Sequence, residues 1–432
     1  MSVRKLETAE QLLARGQALE AHAELLPLAA TLSELDGPSS YRLLRGLAAA
    51  AQRLGRLPEA ERWLEKAGPF AAADAVVRAD WTLARLANAL ASGAAVAERE
   101  AESSRALDAL SGGEQAELLL RRAEVLVSFG RGDALAAFER AAKAASASGD
   151  ATFEAAAVLG AARIHAGAKA YDAAERLLRD VLTRAGPELA AELWLTLGDV
   201  KFEQGDSAGA ETAYRSAPAE ASARVALRLA ALHVQAGKLD EAEADYLAGL
   251  TALPQKDPAA AAVLDELASL YGRMGRFDEA RAALQKAVSW VQVAQPADLL
   301  LEAHLRTRLG GLLLSQQQAA AAVPELQLAA ARLAGEAGER HPMLGGVLNT
   351  LAVAQLQAGT LGPAQASAAR ALELAADDTA SAQALNTLGM IEVAKGSAVA
   401  ARAHFEKSKV LFEQAGMKDE AGGVQKNLAA LG

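Results

Sequence analysis

Large apolar residues, small residues and a turn glycine follow one another in a fixed order along residues 194–214, WLTLGDVKFEQGDSAGAETAY. Apolar positions three and four residues apart predict a helix on each side of Gly205, and the glycine itself predicts a tight turn. Gly198 on the first helix and Ala210 on the second are small, which allows the two helix axes to approach closely. Large residues such as Tyr214 then fill the space beside the contact. The stretch therefore predicts a close-packed helical hairpin.

The same order of residues recurs along most of the chain. The two units that follow copy it most closely, and their turn segments KLDEA (238–242) and RFDEA (276–280) differ at only two positions. We expect Asp240 and Asp278 in these turns to be N-caps of the second helices, because a short carboxylate accepts hydrogen bonds from free helix amides. Self-similarity of this kind is typical of a repeat array, in which each helix pair packs on its neighbours.

These positions resemble the tetratricopeptide repeat, whose pattern runs Trp, Leu-Gly, a turn Gly, Ala, an aromatic residue and Ala. In residues 194–217 the positions of this pattern are filled, in order, by Trp194, Leu197, Gly198, Gly205, Ala210, Tyr214 and Ala217. In the unit at 152–186 we align Leu159 and Gly160 with the Leu-Gly step. The resemblance covers nearly the whole chain and is weakest over residues 76–112.

The C-terminal part is similar to a longer tetratricopeptide subtype, that of kinesin light chains and many bacterial multi-repeat proteins. Its step is 42 residues, from Ala280 to Ala322 and again to Ala364. In that subtype a Gly-x-x-His-Pro loop leads into a Leu-Asn-x-Leu-Ala helix. This chain has GERHP at 338–342 followed by LNTLA at 348–352.

The resemblance implies an all-α fold, a right-handed superhelical α-solenoid of about eleven antiparallel helix pairs with a C-terminal capping helix. We predict one continuous solenoid over residues 1–432, because no linker or Gly/Ser-rich run divides the chain. The unit at 78–111 is degenerate, because its second helix lacks the step from alanine to an aromatic residue. The repeats are predicted at about 2–35, 41–74, 78–111, 115–148, 152–186, 190–222, 223–256, 261–294, 303–336, 345–378 and 382–415, with the capping helix at 418–431.

Composition agrees with this fold and narrows the compartment. Aromatic residues make up only 4% of the chain, and there are no cysteines for disulfides or thiol chemistry. No apolar run approaches the roughly 20 residues of a membrane helix, and the charged N-terminus MSVRKLETAEQLL has no signal-type apolar segment. We expect a cytoplasmic protein without membrane insertion. A formal net charge of −10 argues against broad nucleic-acid binding, and the richness in alanine and leucine suggests a bacterial gene.

Candidate chemistry is sparse. The six histidines are scattered, and no two lie at metal-ligand spacing on one helix turn. There is no phosphate-binding glycine loop and no nucleophile-elbow motif. Carboxylate pairs such as Asp265 with Glu266 are expected to be solvated helix faces or caps. We therefore predict no catalytic residue, no metal and no cofactor.

The resemblance also implies a binding surface. In this family the first helix of each pair lines the concave side of the array, and certain of its positions tend to face the ligand. Mapped onto this sequence, those positions are Arg224, Arg228, Arg273, His304, Arg308, Asn349 and Asn386. Arginine holds carboxylates and asparagine pairs with an extended backbone. The hypothesis is a strip, basic at one end and amide-bearing at the other, that receives an acidic or C-terminal peptide; the alternative is ordinary solvated residues.

The predicted function is that of a non-enzymatic scaffold or adaptor, which binds a peptide or protein partner in the concave groove. An alternative is a regulatory sensor whose curvature changes on peptide binding and which controls a separate kinase or transcription regulator. A hidden enzyme is the third and least favoured hypothesis. Partner identity and oligomeric state stay open.

Overall fold

The computed structural model describes residues 2–14, 16–254, 256–293 and 298–432. Every regular element in those ranges is helical, and none is a strand. The chain folds as two compact units, Met1–Ala221 and Ser222–Gly432. The prediction of an all-α solenoid is confirmed, because each unit is a row of helix hairpins stacked side by side. A single continuous solenoid and its right-handed sense stay predictions.

The N-terminal unit contains six hairpins, in which each helix contacts the next along the chain. Successive first helices α1, α3, α5, α7, α9 and α11 also contact one another. The helices are α1 (Ser2–Ala14), α2 (Ala18–Leu25), α3 (Gly37–Arg53), α4 (Leu57–Ala71), α5 (Ala75–Ser92), α6 (Val96–Asp108), α7 (Gly112–Ser128), α8 (Ala134–Ser148), α9 (Ala151–Gly167), α10 (Tyr171–Leu182), α11 (Pro187–Gln204) and α12 (Ser207–Arg215). Two 3-10 segments, Leu26–Glu34 and Ala219–Ala221, follow α2 and α12.

The C-terminal unit contains five hairpins and one further helix. Its helices are α13 (Ser222–Gln235), α14 (Leu239–Ala252), α15 (Pro258–Arg273), α16 (Phe277–Val293), α17 (Leu299–Ser315), α18 (Ala319–Arg332), α19 (Pro342–Gln357), α20 (Leu361–Glu373), α21 (Asp378–Ala394), α22 (Ala398–Gln414) and α23 (Lys418–Ala430). A π-helical turn, Leu333–Ala337, follows α18. The last helix packs on α22 through Ala421, Val424 and Leu428, so it covers the apolar face of the final hairpin as a cap would.

Short carboxylates cap several first helices, and Asp206 caps the second helix α12, but neither residue named from the sequence is an N-cap. Asp36, Asp257 and Asp377 precede α3, α15 and α21, and each accepts a backbone N–H from the first turn. Asp240 and Asp278 instead lie inside the first turns of α14 and α16. There they do not act as N-caps. Their negative charges stabilise the helix by interacting with the positive N-terminal end of its dipole.

Close approach within hairpins depends on glycine at particular positions. A Cβ on Gly198 would lie 2.2 Å from the Tyr214 ring, and one on Gly389 would lie 2.4 Å from the Phe405 ring. These two contacts join the first and second helix of one pair, as the repeat pattern predicts. Only a residue without a side chain fits there without a shift of the ring.

The alignment of Leu159 and Gly160 with the Leu-Gly step was wrong. A Cβ on Gly160 would lie 2.3 Å from Phe138, which belongs to α8 in the preceding pair and not to α10. The fully buried small residue that packs with Leu178 of α10 is Ala162. The register of α9 is therefore two residues later than the motif suggested.

Candidate functional site

The candidate residues lie on the first helices of the C-terminal unit, and we call their shared surface the C-terminal face. It is formed by α13, α15, α17, α19, α21 and α23, one from each hairpin and the cap. Side-chain hydrogen bonds connect α15 with α17 and α21 with α23 across this surface. Backbone contacts connect α17 with α19 and α19 with α21. Residues from different repeats are thus brought side by side.

His304 and Arg308 meet at one buried carboxylate. Arg308 donates from Nη1 to Asp265 Oδ2 at 3.2 Å and from Nη2 to Ser269 Oγ at 2.5 Å. The Nε2 atom of His304 also lies 3.2 Å from Asp265 Oδ2. Because Asp265 offsets the charge of Arg308, this cluster is less cationic than the sequence suggested. It holds the guanidinium in one orientation, with 35% of the Arg308 side chain exposed.

The other three arginines lie on exposed positions of the same helix series. Arg224 and Arg228 are exposed on α13, and Arg273 is exposed at the end of α15. Burial raises the pKa of Tyr246 to about 12, and the negative charge of Glu266 acts in the same direction while Arg273 opposes it. The Arg273 guanidinium is therefore close enough to Tyr246 for an electrostatic effect.

Asn349 and Asn386 line a cavity of about 490 Å³ between α19, α21 and α23. Asn386 Oδ1 accepts a hydrogen bond from Asn427 Nδ2 at 3.2 Å. Asn349 Oδ1 is buried and has no donor among the described residues. The rest of the lining combines the apolar Val353, Met390, Phe412 and Val424 with the polar Gln383, Thr387, Glu420 and Asn427. The cavity thus combines amide groups with apolar surface.

Sequence analysis missed three residues of this face. Asp265 was expected to be solvated, but it is only 7% exposed and accepts bonds from another repeat. Ser269 lies one helix turn later and shares Arg308. Asn427 on the capping helix was assigned no role from the sequence, although its side chain lines the cavity. The signal was present at Asn427, since it is a third asparagine on a first-helix position.

A second polar cluster, also missed, lies in the N-terminal unit. Tyr41 donates to Asp80 Oδ2 at 2.5 Å, and Arg121 donates to Asp80 Oδ1 at 2.6 Å. Arg45 Nε lies 3.4 Å from the same carboxylate. Burial opposes ionisation of Asp80, but the arginines and the Tyr41 hydrogen bond outweigh it, so the pKa of Asp80 lies below its usual value. The cluster ties α3, α5 and α7 together.

Among the described residues, no group of three or more His, Cys, Asp or Glu side chains is placed to hold a metal ion. In that part of the chain, no helix combines the length and the apolar character needed to cross a bilayer.

Comparison with known proteins identifies the repeat. A family model of the tetratricopeptide repeat matches residues 261–290, which lie in the α15–α16 hairpin. Residues 261–290 are therefore assigned as a tetratricopeptide repeat. The similarity to the 42-residue subtype stays a prediction. No curated protein sequence matches the chain.

Several solved structures are similar at low sequence identity. BtubC (BKLC) from P. vanneervenii is 20% identical, covers 60% of this chain and 92% of its own, and has a TM-score of 0.38. MamA from Desulfovibrio magneticus RS-1 is 18% identical, covers 45% of this chain and 96% of its own, and has a TM-score of 0.35. A chain of the APC/C hetero-tetramer Cut9–Hcn1 is 16% identical, covers 99% of this chain and 83% of its own, and has a TM-score of 0.40.

Proposed function

We propose that this protein is a cytoplasmic, non-enzymatic scaffold that binds a peptide segment of a partner protein along its C-terminal face. The observation that carries the proposal is the buried Oδ1 atom of Asn349, which has no donor among the described residues and belongs to a cavity-lining side chain. A buried acceptor left unpaired costs about 1–3 kcal/mol. A backbone N–H of a bound peptide would remove that cost.

The neighbouring amides supply the complementary group. Asn386 accepts from Asn427 and donates no hydrogen bond within the described ranges, so its Nδ2 is available to a peptide carbonyl. An acceptor on Asn349 and a donor on Asn386 together match the alternating groups of an extended backbone. The apolar lining of the cavity would bury one side chain of the same segment.

The basic end favours a peptide with an acidic or C-terminal carboxylate. Arg308 is held by Asp265 and Ser269, so binding would cost little further ordering of its side chain. The exposed Arg273 adds positive charge on the neighbouring helix. Because Asp265 offsets part of this charge, we expect the carboxylate to contribute orientation more than affinity.

Asn349→Leu tests the proposal, because binding and stability should change in opposite directions. The substitution removes an unpaired buried acceptor, so the thermal midpoint of the full chain should stay the same or rise. Affinity for its peptide should fall about tenfold or more, the effect of one or two lost hydrogen bonds. The measurement is fluorescence anisotropy with a library of synthetic peptides that carry free or amidated C-termini.

Gln425→Leu is the matched control, since Gln425 is exposed on α23 and does not line the cavity. It should leave affinity unchanged. A library hit that binds Asn349→Leu as tightly as the unchanged protein would refute the assignment of this face. A free C-terminus that makes no difference would refute only the carboxylate preference.

A further inference from the structure

A separate pocket of about 470 Å³ lies on the first helices of the N-terminal unit, and we call it the α7–α9 pocket. One wall is α7, with Glu124, Val127 and Ser128, and the other is α9, with Ala156, Gly160, Arg163 and Ile164. The ring of Phe138 from α8 completes the lining. The lining is therefore mainly apolar, with one charged residue on each wall.

Two small residues of α9, Ala156 and Gly160, line the pocket on one side. Gly160 points its bare backbone at the Phe138 ring, where any side chain would collide at 2.3 Å. Ala156, one turn earlier on the same helix, is also small. Two small residues in successive turns leave space between α7 and α9, while Phe138 itself is only 5% exposed.

The surroundings indicate what would fill it. Val127 and Phe129, two residues apart at the end of α7, are 46% and 41% exposed and add apolar surface beside the pocket. Glu124 is exposed and makes no ion pair within the described part of the chain. Arg163 on the opposite wall lies 3.8 Å from Glu192 and so is already near a carboxylate. The uncompensated charge at the pocket is negative.

We propose that the α7–α9 pocket is a second binding site, which receives an aromatic side chain of a partner peptide with a basic residue beside it. The aromatic ring would insert between Val127 and Ile164 and bury apolar area against both side chains. The basic residue would pair with Glu124. A single deeply buried anchor with a charged neighbour is the usual arrangement of an energetic hot spot.

The test uses a pair of short synthetic peptides blocked at both ends. Each carries one 4-fluorophenylalanine, flanked by lysines in one peptide and by glutamates in the other. Fluorine NMR line broadening of the peptide, titrated with the full chain, reports binding down to the millimolar range. The blocked termini separate this site from the proposed C-terminal face, and Asn349→Leu should leave the broadening unchanged.

Three variants of the pocket are compared with one control. Ala156→Leu fills the cavity and should weaken binding of the lysine-flanked peptide about tenfold, the contribution of one buried aromatic side chain. Val127→Ser removes an exposed apolar side chain without disturbing the core and should also weaken binding of the lysine-flanked peptide. Glu124→Lys should weaken it about fivefold, the effect of one exposed charge pair. Glu139→Lys makes the same charge change on an exposed residue of α8 outside the pocket and should have no effect.

Each outcome decides the proposal. Broadening that is stronger for the lysine-flanked peptide, and lost in Ala156→Leu and Val127→Ser, supports it. Absence of broadening at millimolar peptide overturns it, as does equal broadening in Val127→Ser and the unchanged protein. Equal binding of the glutamate-flanked peptide overturns the basic preference.

Discussion

At the scale of single residues, the least ordinary chemistry is a buried ion network in the α17–α18 hairpin. Arg306 donates from Nε to Glu302 Oε1 at 3.0 Å and also bonds Glu325, while Arg332 lies 3.0 Å from Glu302 Oε2. The side chains of Arg306 and Glu302 are only 5% and 4% exposed. Charges this deep are tolerated because each has a partner, and removal of one partner leaves the other charge buried alone.

Arg306→Met is therefore expected to destabilise the C-terminal unit by about 3–5 kcal/mol. The measurement is urea unfolding followed by circular dichroism. Arg370→Met is the control, because Arg370 pairs with Glu373 one turn away on an exposed surface and should change stability by less than about 1 kcal/mol. Equal effects of the two substitutions would contradict the role assigned to burial.

At the scale of helices, glycine has two opposite meanings in this chain. Gly389 in α21 lies against the Phe405 ring, and no side chain fits there. Gly422 and Gly423 in α23 have open space where a Cβ would be. The first glycine is needed for packing, whereas the other two only weaken the cap, because glycine inside a helix costs about 0.5–1 kcal/mol relative to alanine.

Gly389→Ala and Gly422→Ala should thus shift stability in opposite directions. Gly389→Ala forces the ring of Phe405 away and should cost about 1–3 kcal/mol, as overpacking of a core does. Gly422→Ala should add about 0.5–1 kcal/mol, because it stabilises the helix and meets no neighbour. Thermal melts of the two variants measured side by side check this. A destabilising Gly422→Ala would show that the packing around α23 is different from that described.

At the scale of the whole molecule, we expect both units to lose stability as the pH falls. Hydrogen bonds from Lys201 and Arg179 lower the pKa of Glu175 in the N-terminal unit. Hydrogen bonds from Arg276 and Tyr271 lower the pKa of Glu243 in the C-terminal unit. The pKa of Glu59 is lowered as well, and its hydrogen bond with His22 is the largest cause. Such groups bind protons more weakly in the folded chain than in the unfolded chain.

The free energy of unfolding is therefore expected to be constant just above pH 4.5, the ordinary glutamate value, and to fall as pH drops below it. The loss is complete only below the lowered pKa of the folded state. Urea midpoints at pH 6, 4 and 3 give the profile, and Glu243→Gln should flatten it. A midpoint at pH 3 equal to that at pH 6 would show that these pairs contribute nothing.

The sequence by itself determined the helix pairs, because a period of three to four residues with small residues at fixed steps leaves few other ways to bury the apolar faces. It also placed the close contact at Gly198, since the glycine and its aromatic partner Tyr214 belong to one hairpin; the same spacing recurs between Gly389 and Phe405. Local spacing contains that information.

Only the tertiary structure decided the features that depend on contacts between repeats. The register of α9 depends on Phe138 of the preceding hairpin. Asp265 forms an ion pair with Arg308, which lies 43 residues later. The same holds for Asn427, whose role depends on Asn386 of another hairpin. A motif fixes which residues oppose each other within a hairpin. How neighbouring hairpins pack is decided by side-chain volumes and charges on both, which no single repeat encodes.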